Sequence, residues 1–338
     1  MDFTAGARAD VRITPSDVGK RVSVRRIAEI VGGRPVFTDA VGVLTSWDAG
    51  ALVVTRRNGE AVRIAEPLLV AAKIVPDTPV RRGARAPRAT VRELQESAAR
   101  CWPAPETARL GTWTLRAAGG FTRRANSALP LGEPGLPVAA AAEAVARWYG
   151  ARGLPAYIQV TTGGEDGDEA LAASLDALGW TAEGHALLRT APLAPLADLS
   201  GAERVRLTRE VDSGWLARYH RTGGLGDAAL AVLTGGPSVW LASVPGAAEG
   251  APAAIGRCVV DGRWASFGAV ETDPASRRGG LATAVVAALA RKALDEGASG
   301  AYLQVEADNE GARALWDRLG FGTHHGYHYR RGPRPADG

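Results

Sequence analysis

The first quarter of the chain contains short apolar, β-rich runs that are separated by polar and turn residues. Runs of this kind, bounded by turn signals, are typical of β-strands. Asn58-Gly59 has the composition of a two-residue hairpin turn, so we expect the strands on either side of it to pair. The strands that this pattern predicts lie at 20–27, 40–47, 51–56, 60–64 and 71–75. Residues 11–76 are therefore predicted to form a small β-barrel, and no catalytic cluster of side chains stands out in it.

The rest of the chain contains an internal repeat. Residues 156–160 (AYIQV) match residues 301–305 (AYLQV), and at the same offset the Ala-rich stretch 138–151 falls on 283–296. Each copy is predicted to run strand, helix, strand, helix, strand. A repeated supersecondary unit points to a duplicated fold. We therefore expect an α/β class with mixed sheets and helices on both faces, in two similar units.

The predicted domain organisation has four parts. A barrel at 11–76 is followed by an Arg-rich linker at 77–92, then by a first repeat at 93–195 and a second repeat at 202–332. A chain of 338 residues is long enough for two or three domains. We expect the barrel to be an interaction module that is dispensable for chemistry.

Composition and charge exclude several classes of protein. The hydrophobic fraction of 46% and charged fraction of 22% are ordinary for a folded chain, and no apolar run approaches the length of a membrane span. The first residues lack the apolar core of a signal peptide, so a cytoplasmic location and no membrane partner are expected. Cys101 and Cys258 have no spacing typical of a disulfide or zinc site, which predicts buried reduced thiols.

A net charge of +4 could indicate an acidic partner. The excess is mild, however, and nucleic-acid binding needs a clustered basic face. The densest run of arginines lies in the predicted linker, where solvated charge is the simpler interpretation. A nucleic-acid partner is therefore not expected.

The second repeat contains a segment with chemical character. A β-rich run at 263–271 is followed by TDPASRRGGLAT (272–283) and then by an apolar-faced helix to about residue 296. The first N–H groups of a helix lack intrahelical partners and lie at the positive end of its dipole, which suits a diphosphate. Gly279 and Gly280 would let phosphate oxygens approach the main chain, and Arg277 and Arg278 add positive charge.

A second motif follows this segment. A strand at 301–306 leads to Asp308-Asn309, which is predicted to cap a helix that ends before Gly320-Phe321. R-x-x-G-x-A (Arg277, Gly280, Ala282) followed by N-x-x-A-x-x-L-W-x-x-x-G-F (309–321) resembles the GNAT acetyltransferase superfamily. The resemblance implies acetyl-CoA as cosubstrate and a direct attack of an amine on its thioester.

The resemblance also implies roles for individual residues. Main-chain groups of a strand would hold the pantetheine arm and the acetyl group, the N–H groups of the glycine-rich turn would hold the pyrophosphate, and the second motif would contact the rest of CoA. The residues concerned are Val270, Glu271 and Thr272 on the strand, Arg277, Arg278, Gly279, Gly280, Leu281, Ala282 and Thr283 in the turn, and Asn309 and Trp316 in the second motif.

The sequence departs from the superfamily pattern at two catalytic positions. Trp316 stands where many relatives have a tyrosine that acts as general acid, and Gln304 stands where some have a glutamate. Glu271 and Glu306 are left as candidate bases, although either could be a bystander. No metal site is predicted, and His324, His325 and His328 are expected at the surface or at the rim of a substrate site.

The first repeat lacks the features of a CoA site. It has GEPGLP (132–137) opposite the glycine-rich turn, and Pro134 and Pro137 have no N–H groups to offer to phosphate. Its segment GFTRRANS (120–127) contains Arg123, Arg124 and Asn126, which are predicted to bind the carboxylate of the acceptor. The alternative is a solvated strand edge protected by charge.

The whole arrangement is similar to actinobacterial acetyltransferases of the corynebacterial N-acetylglutamate synthase type, which have an N-terminal SH3-like domain. The predicted function is transfer of acetyl from acetyl-CoA to a small amine, with the α-amino group of glutamate as the leading acceptor and another small amine or a protein amine still open. The alternative is a non-catalytic acyl-CoA sensor that acts on a partner protein through its SH3-like domain.

Overall fold

The structure is a computed structural model that describes residues 10–31, 34–56, 59–75, 86–163, 167–219, 226–246 and 250–333. Contacts divide the chain into two compact units. Unit 1 comprises residues 1–87, 191–221 and 238–302, and unit 2 comprises residues 88–190, 222–237 and 303–338.

The described residues form sixteen strands and eight α-helices. The strands are β1 (Asp10–Val11), β2 (Arg21–Val31), β3 (Arg34–Asp48), β4 (Ala51–Thr55), β5 (Ala61–Ala65), β6 (Leu69–Ile74), β7 (Glu106–Leu110), β8 (Trp113–Ala117), β9 (Tyr157–Thr162), β10 (Thr181–Pro192), β11 (Arg206–Thr208), β12 (Val239–Val244), β13 (Ala254–Asp261), β14 (Trp264–Thr272), β15 (Gly300–Glu306) and β16 (Gly322–Arg331). The helices are α1 (Val91–Cys101), α2 (Val138–Gly150), α3 (Glu169–Ala177), α4 (Leu193–Ala197), α5 (Ser213–Arg218), α6 (Asp227–Thr234), α7 (Leu281–Asp295) and α8 (Glu310–Arg318).

The N-terminal part of unit 1 is a six-stranded sheet in the order β1-β6-β2-β3-β4-β5. Its strands bury one apolar face, which includes Val22, Val24, Leu44 and Leu52. The strand prediction is confirmed, but β1 and β5 stand at opposite ends of the strand order. Closure into a barrel and likeness to SH3 domains therefore stay predictions.

The β4–β5 hairpin differs from its prediction in the turn. Thr55 pairs with Ala61, and the N–H of Arg56 donates to the carbonyl of Glu60 at 2.9 Å, which leaves three residues in the loop. Gly59 has φ of +84°. A three-residue loop that ends in a left-handed glycine replaces the expected two-residue turn. Asn58 lies outside the described residues.

The N-terminal sheet packs against helices of unit 1. Thr38 Oγ1 donates to the carbonyl of Leu294 at 2.5 Å near the end of α7, and buried Arg21 forms an ion pair with buried Asp198 just after α4. A Cβ on Gly297 would lie 2.8 Å from the carbonyl oxygen of Phe37. The sheet and the C-terminal end of α7 therefore share a close-packed contact.

The second sheet of unit 1 supports α7. Strands β11 to β14 pair antiparallel in sequence order, and β13 is buried along nearly its whole length. Val285 Cγ1 would lie 2.4 Å from a Cβ on Gly256, so the glycine allows α7 to lie close to β13. Ten of the fifteen residues of α7 are buried, which explains its apolar sequence.

Unit 2 contains a β10-β16-β9 arrangement in which β16 pairs antiparallel with both neighbours. Helices α2 and α3 cover one face of β9, where Ile158, Val160 and Leu175 belong to one apolar cluster. Helix α1 begins at Val91 with Thr90 as its N-cap. Arg92, which was assigned to the linker, therefore lies in the first turn of a helix, while residues 76–85 lie outside the described part.

The two repeats exchange their last strands within unit 2. Strand β10 follows α3 in the first repeat, yet its Arg189 forms an ion pair with Asp317 of α8 at 2.5 Å. Strand β16 follows α8 in the second repeat, yet it pairs with β9, and its Arg330 forms an ion pair with Asp176 of α3. Each repeat therefore receives a strand from the other.

The α/β class with mixed sheets and helices is confirmed, whereas the four domain boundaries stay predictions. Cys101 and Cys258 are buried thiols, as expected. Within the described residues, no helix combines the length and the hydropathy needed to cross a bilayer.

Candidate functional site

Strand β14 of unit 1 is distorted where the resemblance placed the acetyl group. Ile255 pairs with Glu271 and Arg257 with Gly268, so Ala269 and Val270 stand opposite the single residue Gly256. Ala269 has φ of +50°, which is unusual for a residue with a Cβ. This two-against-one arrangement is a β-bulge, which bends the strand and leaves the extra residue outside the ladder.

The turn between β14 and α7 is held by Asp273. Its Oδ1 accepts from the N–H of Ala275 at 2.8 Å, and its Oδ2 is paired with Arg218 of α5. Arg218 Nε also donates to the carbonyl of Pro252 at 2.8 Å. The aspartate therefore fixes the start of the turn to neighbouring segments of unit 1.

The end of the turn has left-handed backbone at two positions. Arg278 has φ of +64°, and Gly280, the N-cap of α7, has φ of +74°. The first bond of the helix runs from the N–H of Ala284 to the carbonyl of Gly280 at 2.9 Å. The N–H groups of Leu281, Ala282 and Thr283 precede that bond and have no partner within the helix.

The space in front of these N–H groups is open. Gly279 and Gly280 are exposed, and a Cβ on Gly280 would meet no described atom within 4 Å. The side chains of Arg277 and Arg278 are exposed. A diphosphate would find a suitable binding site here. It would meet helix N–H groups, the dipole of a fifteen-residue helix and two guanidinium groups.

The corresponding loop of the first repeat, in unit 2, is packed differently. The carbonyl of Glu133 accepts from the N–H and the Oγ1 of Thr112, both at 2.9 Å, and the carbonyl of Gly132 accepts from Trp113 Nε1 at 2.8 Å. A Cβ on Gly111 would lie 2.4 Å from the carbonyl carbon of Pro134. The loop is thus held against the β7–β8 turn rather than left open to a phosphate.

The candidate bases lie at strand ends. Glu271 is half-buried near the end of β14, and Glu306 is exposed as the last residue of β15. Gln304, on β15, has a buried side-chain nitrogen with no hydrogen-bond partner among the described residues. These positions assign neither glutamate a catalytic role, so the role of each as a base stays a prediction.

Asn309 and Trp316 of unit 2 have clear structural roles. Asn309 is the N-cap of α8, and its Oδ1 accepts from the N–H of Ala312 at 3.0 Å. The Trp316 ring is buried edge-on against Phe321, with 5.1 Å between ring centroids. The capping prediction is confirmed, whereas contact of either residue with CoA stays a prediction.

The three residues predicted to bind a carboxylate differ in their surroundings. Asn126 Oδ1 accepts from the N–H groups of Ala118 and Gly120, and its Nδ2 donates to the carbonyls of Phe121 and Thr122. These four bonds use the full capacity of the amide. Asn126 therefore shapes its own loop, and binding a substrate would require it to give up one of these bonds.

The two arginines of this segment also have neighbours within unit 2. Arg123 Nε lies 3.0 Å from Glu183 Oε1, so an internal carboxylate already occupies its guanidinium. The Arg124 guanidinium stacks over the ring of Trp102, 5.2 Å from its centroid. Binding of a substrate carboxylate by Arg123 would require it to give up its ion pair with Glu183.

Sequence reasoning missed a chain of buried polar side chains in unit 2. Arg116 donates to Gln159 Oε1 at 3.1 Å, Gln159 donates to Gln95 Oε1 at 2.7 Å, and Gln95 Nε2 lies 2.7 Å from Nε2 of His325. Nδ1 of His325 lies 2.8 Å from Nδ1 of His324, whose Nε2 lies 3.1 Å from the carbonyl of Ala89. No motif connects these residues, because their spacing reflects the fold alone.

The structure corrects the expectation that the histidines lie at the surface. His325 and His328 are only 1% and 5% exposed, so neither is a surface group. Gln95 must donate to His325, since its oxygen accepts from Gln159, and neutral His325 then carries its proton on Nδ1 and donates to His324. Burial, together with the neighbouring His324, lowers the pKa of His325 to about 4.

Comparisons with known proteins identify the family of the chain. The family described as "Probable histone acetyltransferase Rv0428c C-terminal" matches residues 88–330. The protein described as "Probable histone acetyltransferase Rv0428c" from Mycobacterium tuberculosis is 30% identical over 327 residues, which is 92% of this chain and 94% of that protein.

Solved structures show the same fold. A GCN5-related N-acetyltransferase from Kribbella flavida matches with a TM-score of 0.53 and 17% identity, over 73% of this chain and 98% of that one. A conserved protein of unknown function from Staphylococcus epidermidis matches with a TM-score of 0.50 and 12% identity, over 68% of this chain and 94% of that one.

The fold is that of acetyltransferases of the GNAT type, and the family whose model matches is described as an acetyltransferase family. The chain belongs to the family of the Rv0428c C-terminal domain, which covers its residues 88–330.

Proposed function

We propose that acetyl-CoA binds unit 1 at the segment from Val270 to Thr283. The observation that carries the proposal is the turn into α7, where helix N–H groups without intrahelical partners follow two exposed glycines and two exposed arginines. The N–H groups of Arg278 to Thr283 and the charges of Arg277 and Arg278 would bind the pyrophosphate. Main-chain groups of Val270, Glu271 and Thr272 beside the bulge would hold the pantetheine arm and the acetyl group.

The chemistry needs little from side chains. A neutral amine attacks the thioester carbon, a C–N bond forms, and the C–S bond breaks to release CoA thiolate. A main-chain N–H at the bulge would stabilise the negative charge that develops on the carbonyl oxygen. Glu271 or Glu306 would take the proton that the amine loses, and a thiol of pKa about 8.5 is a tolerable leaving group even with Trp316 in place of an acid.

The acceptor is proposed to be a small amine with a carboxylate, and glutamate is the leading candidate. Arg124 would contribute to the binding of its carboxylate, since a guanidinium binds that group through paired hydrogen bonds. A protein amine is the competing acceptor, which is favoured by the similarity to a probable histone acetyltransferase of Mycobacterium tuberculosis. We also propose that residues 11–76 act as an SH3-like domain that contacts a protein partner.

The test is the rate of CoA release from acetyl-CoA by the full chain. L-Glutamate, other amino acids, a carboxylate-free amine and a lysine-rich peptide would each be supplied as acceptor. Saturable release with an amino acid, and none with the peptide, is the expected result. Release with the peptide alone would contradict the small-acceptor proposal. If acetyl-CoA binds but no amine causes release, the non-catalytic sensor replaces the enzyme.

A further inference from the structure

Unit 2 contains three arginines that are almost fully buried, and one of them differs from the others. Arg189 and Arg330 each form an ion pair with an aspartate, Asp317 and Asp176 respectively. Arg116 is 3% exposed, yet its bonds go to the carbonyl of Ser127 at 2.9 Å, Ser127 Oγ at 2.8 Å and Gln159 Oε1 at 3.1 Å. All three acceptors are neutral.

The bonds of Arg116 leave one edge of its guanidinium available. They use Nε and Nη2, and Nη1 has no hydrogen-bond partner among the described residues. A buried charge normally has a partner of opposite sign, because removing it from water is costly. In the described part of the chain, no carboxylate forms an ion pair with Arg116.

Two tyrosines of β16 lie on the sheet face that the guanidinium of Arg116 contacts through Gln159 of β9. Gln159, which accepts from Arg116, is the direct cross-strand partner of Tyr329, and side chains of such pairs are neighbours on one face. Tyr327 is two residues away on the same strand and therefore shares that face. Its ring centroid lies 5.8 Å from that of Tyr329, and both rings are buried.

Arg124 completes the cluster and brings it toward solvent. Arg116 and Tyr329 both have Arg124 among their electrostatic neighbours. Burial is the main cause that lowers the pKa of Arg116, and Arg124 lowers it further, while burial raises the pKa of Tyr329. The face thus holds two cations that repel each other and a phenol that stays neutral. Arg124 is half-buried, which gives this end of the cluster access to solvent.

We propose that Arg116, Arg124, Tyr327 and Tyr329 form a binding site for the carboxylate of a small organic acid. A carboxylate would give buried Arg116 an anionic partner at its open edge and would accept from a phenol hydroxyl and from Arg124 on the solvent side, whereas an apolar or cationic ligand would leave Arg116 without such a partner. The inference extends the acceptor part of the proposed function. It concerns binding alone, so it can fail while acetyl transfer stands, and the reverse also holds.

The experiment is calorimetry on the full chain without acetyl-CoA. Glutarate, L-glutamate and inorganic phosphate serve as probes, so that a free dicarboxylate, an amino acid and an unrelated anion are compared. The variants are Arg124→Gln, Tyr329→Phe and Arg116→Lys. The control is Arg109→Gln, which removes the same charge from an exposed position in unit 2.

Glutarate or L-glutamate is expected to bind the wild type and the control equally. Arg124→Gln should weaken that binding about 10-fold to 100-fold, since a charge-assisted contact is lost. Arg116→Lys should weaken it similarly, because lysine keeps the charge but not the planar fork. The half-buried position of Arg124 keeps the test valid if the Arg116 variant does not fold.

Three results would overturn the site. Affinity that is equal in the Arg124→Gln variant and in the control would show that the cluster does not hold the ligand. Phosphate that binds as tightly as glutarate would indicate general attraction of anions. If neither carboxylate binds the wild type, Arg116 has only its structural role at the end of the hydrogen-bonded chain through Gln159.

Discussion

At the scale of single residues, Arg278 combines a conformational cost with a proposed function. Its φ of +64° places a side chain in the left-handed region, and its guanidinium is exposed beside the open N-terminus of α7. A residue with a Cβ is less stable there than glycine. Strained backbone of this kind is a reasonable sign of function, because the fold itself gains nothing from it.

Arg278→Gly should therefore separate binding from folding. The substitution removes the charge and the backbone strain together, so acetyl-CoA is expected to bind about 10-fold more weakly while the free energy of unfolding stays within about 1 kcal/mol of wild type. Ala49→Gly is the matched control, since Ala49 is exposed with φ of +47°. Calorimetry and urea denaturation measure the two quantities. Unchanged affinity in the Arg278 variant would remove that side chain from the proposed site.

His325 gives a second prediction at this scale. Its pKa is about 4 in the folded chain and about 6.5 when unfolded, so below pH 6.5 the unfolded state binds a proton that the folded state does not. The stability present above pH 6.5 should be lost as the pH falls toward 4, by up to about 3 kcal/mol. His325→Gln should flatten the curve of unfolding free energy against pH over this window. Parallel curves for variant and wild type would contradict the assignment.

The sequence predicted the roles of contiguous residues but not those of residues that only the fold brings together. Arg277 to Thr283 follow one another in the chain, so a local motif could place them at a helix N-terminus. Arg116, Gln159 and His325 come from three distant segments, and nothing in their own sequence neighbourhoods distinguishes them from solvated polar residues. Only the strand register brings them together.

At the scale of elements, the exchange of last strands has a direct consequence for dissection of the protein. Strand β16 pairs with β10 on one side and β9 on the other, and both neighbours belong to the first repeat. A fragment of residues 202–332 would therefore lose both partners of β16. We expect this fragment to be unfolded alone, as seen by circular dichroism, and coexpression with residues 88–201 to restore structure. A fragment that folds unaided would contradict the exchange.

The contact of the N-terminal sheet with unit 1 helices supplies the next prediction. Arg21→Met would leave the Asp198 carboxylate buried without its cation, and removing one partner of such a pair costs about 3 kcal/mol or more. Lys20→Met is the control, because Lys20 is exposed and pairs with Asp17 near the surface. Chemical denaturation should show a large loss only for Arg21→Met. Equal losses would mean that the buried ion pair is not important for stability.

The N-terminal strands were predictable from the sequence, whereas their packing partners were not. Short β-rich runs between turn residues predicted the strands, and the repeat predicted the helices α2 and α7 and the strands that follow them. Partners across the fold were not predictable, because Arg21 and Asp198 carry no pattern that connects them. The packing of the N-terminal sheet on α4 and α7 indicates a role in stability, and its dispensability for chemistry stays a prediction.

At the scale of the whole molecule, the two repeats should differ in ligand binding, with one acetyl-CoA bound per chain. Gly280 and Gly135 form a matched pair, with φ of +74° and +73° and no described atom closer than 3.9 Å to an added Cβ. Substitution by alanine should lower the free energy of unfolding by a similar amount at both positions. Only Gly280→Ala should weaken acetyl-CoA binding, by about 10-fold or more, because its Cβ enters the space proposed for phosphate. Calorimetry that finds two equivalent sites would contradict this.

The exchange of strands also affects how the protein is made. On the ribosome, β9 and β10 emerge well before β16, the last of the described strands, and β16 lies between them. While the second repeat is still being translated, the edges of β9 and β10 that later pair with β16 are therefore unpaired. Exposed edges of this kind invite association with other nascent chains. Production of the protein should thus depend on translation speed and on chaperones that shield the waiting strands.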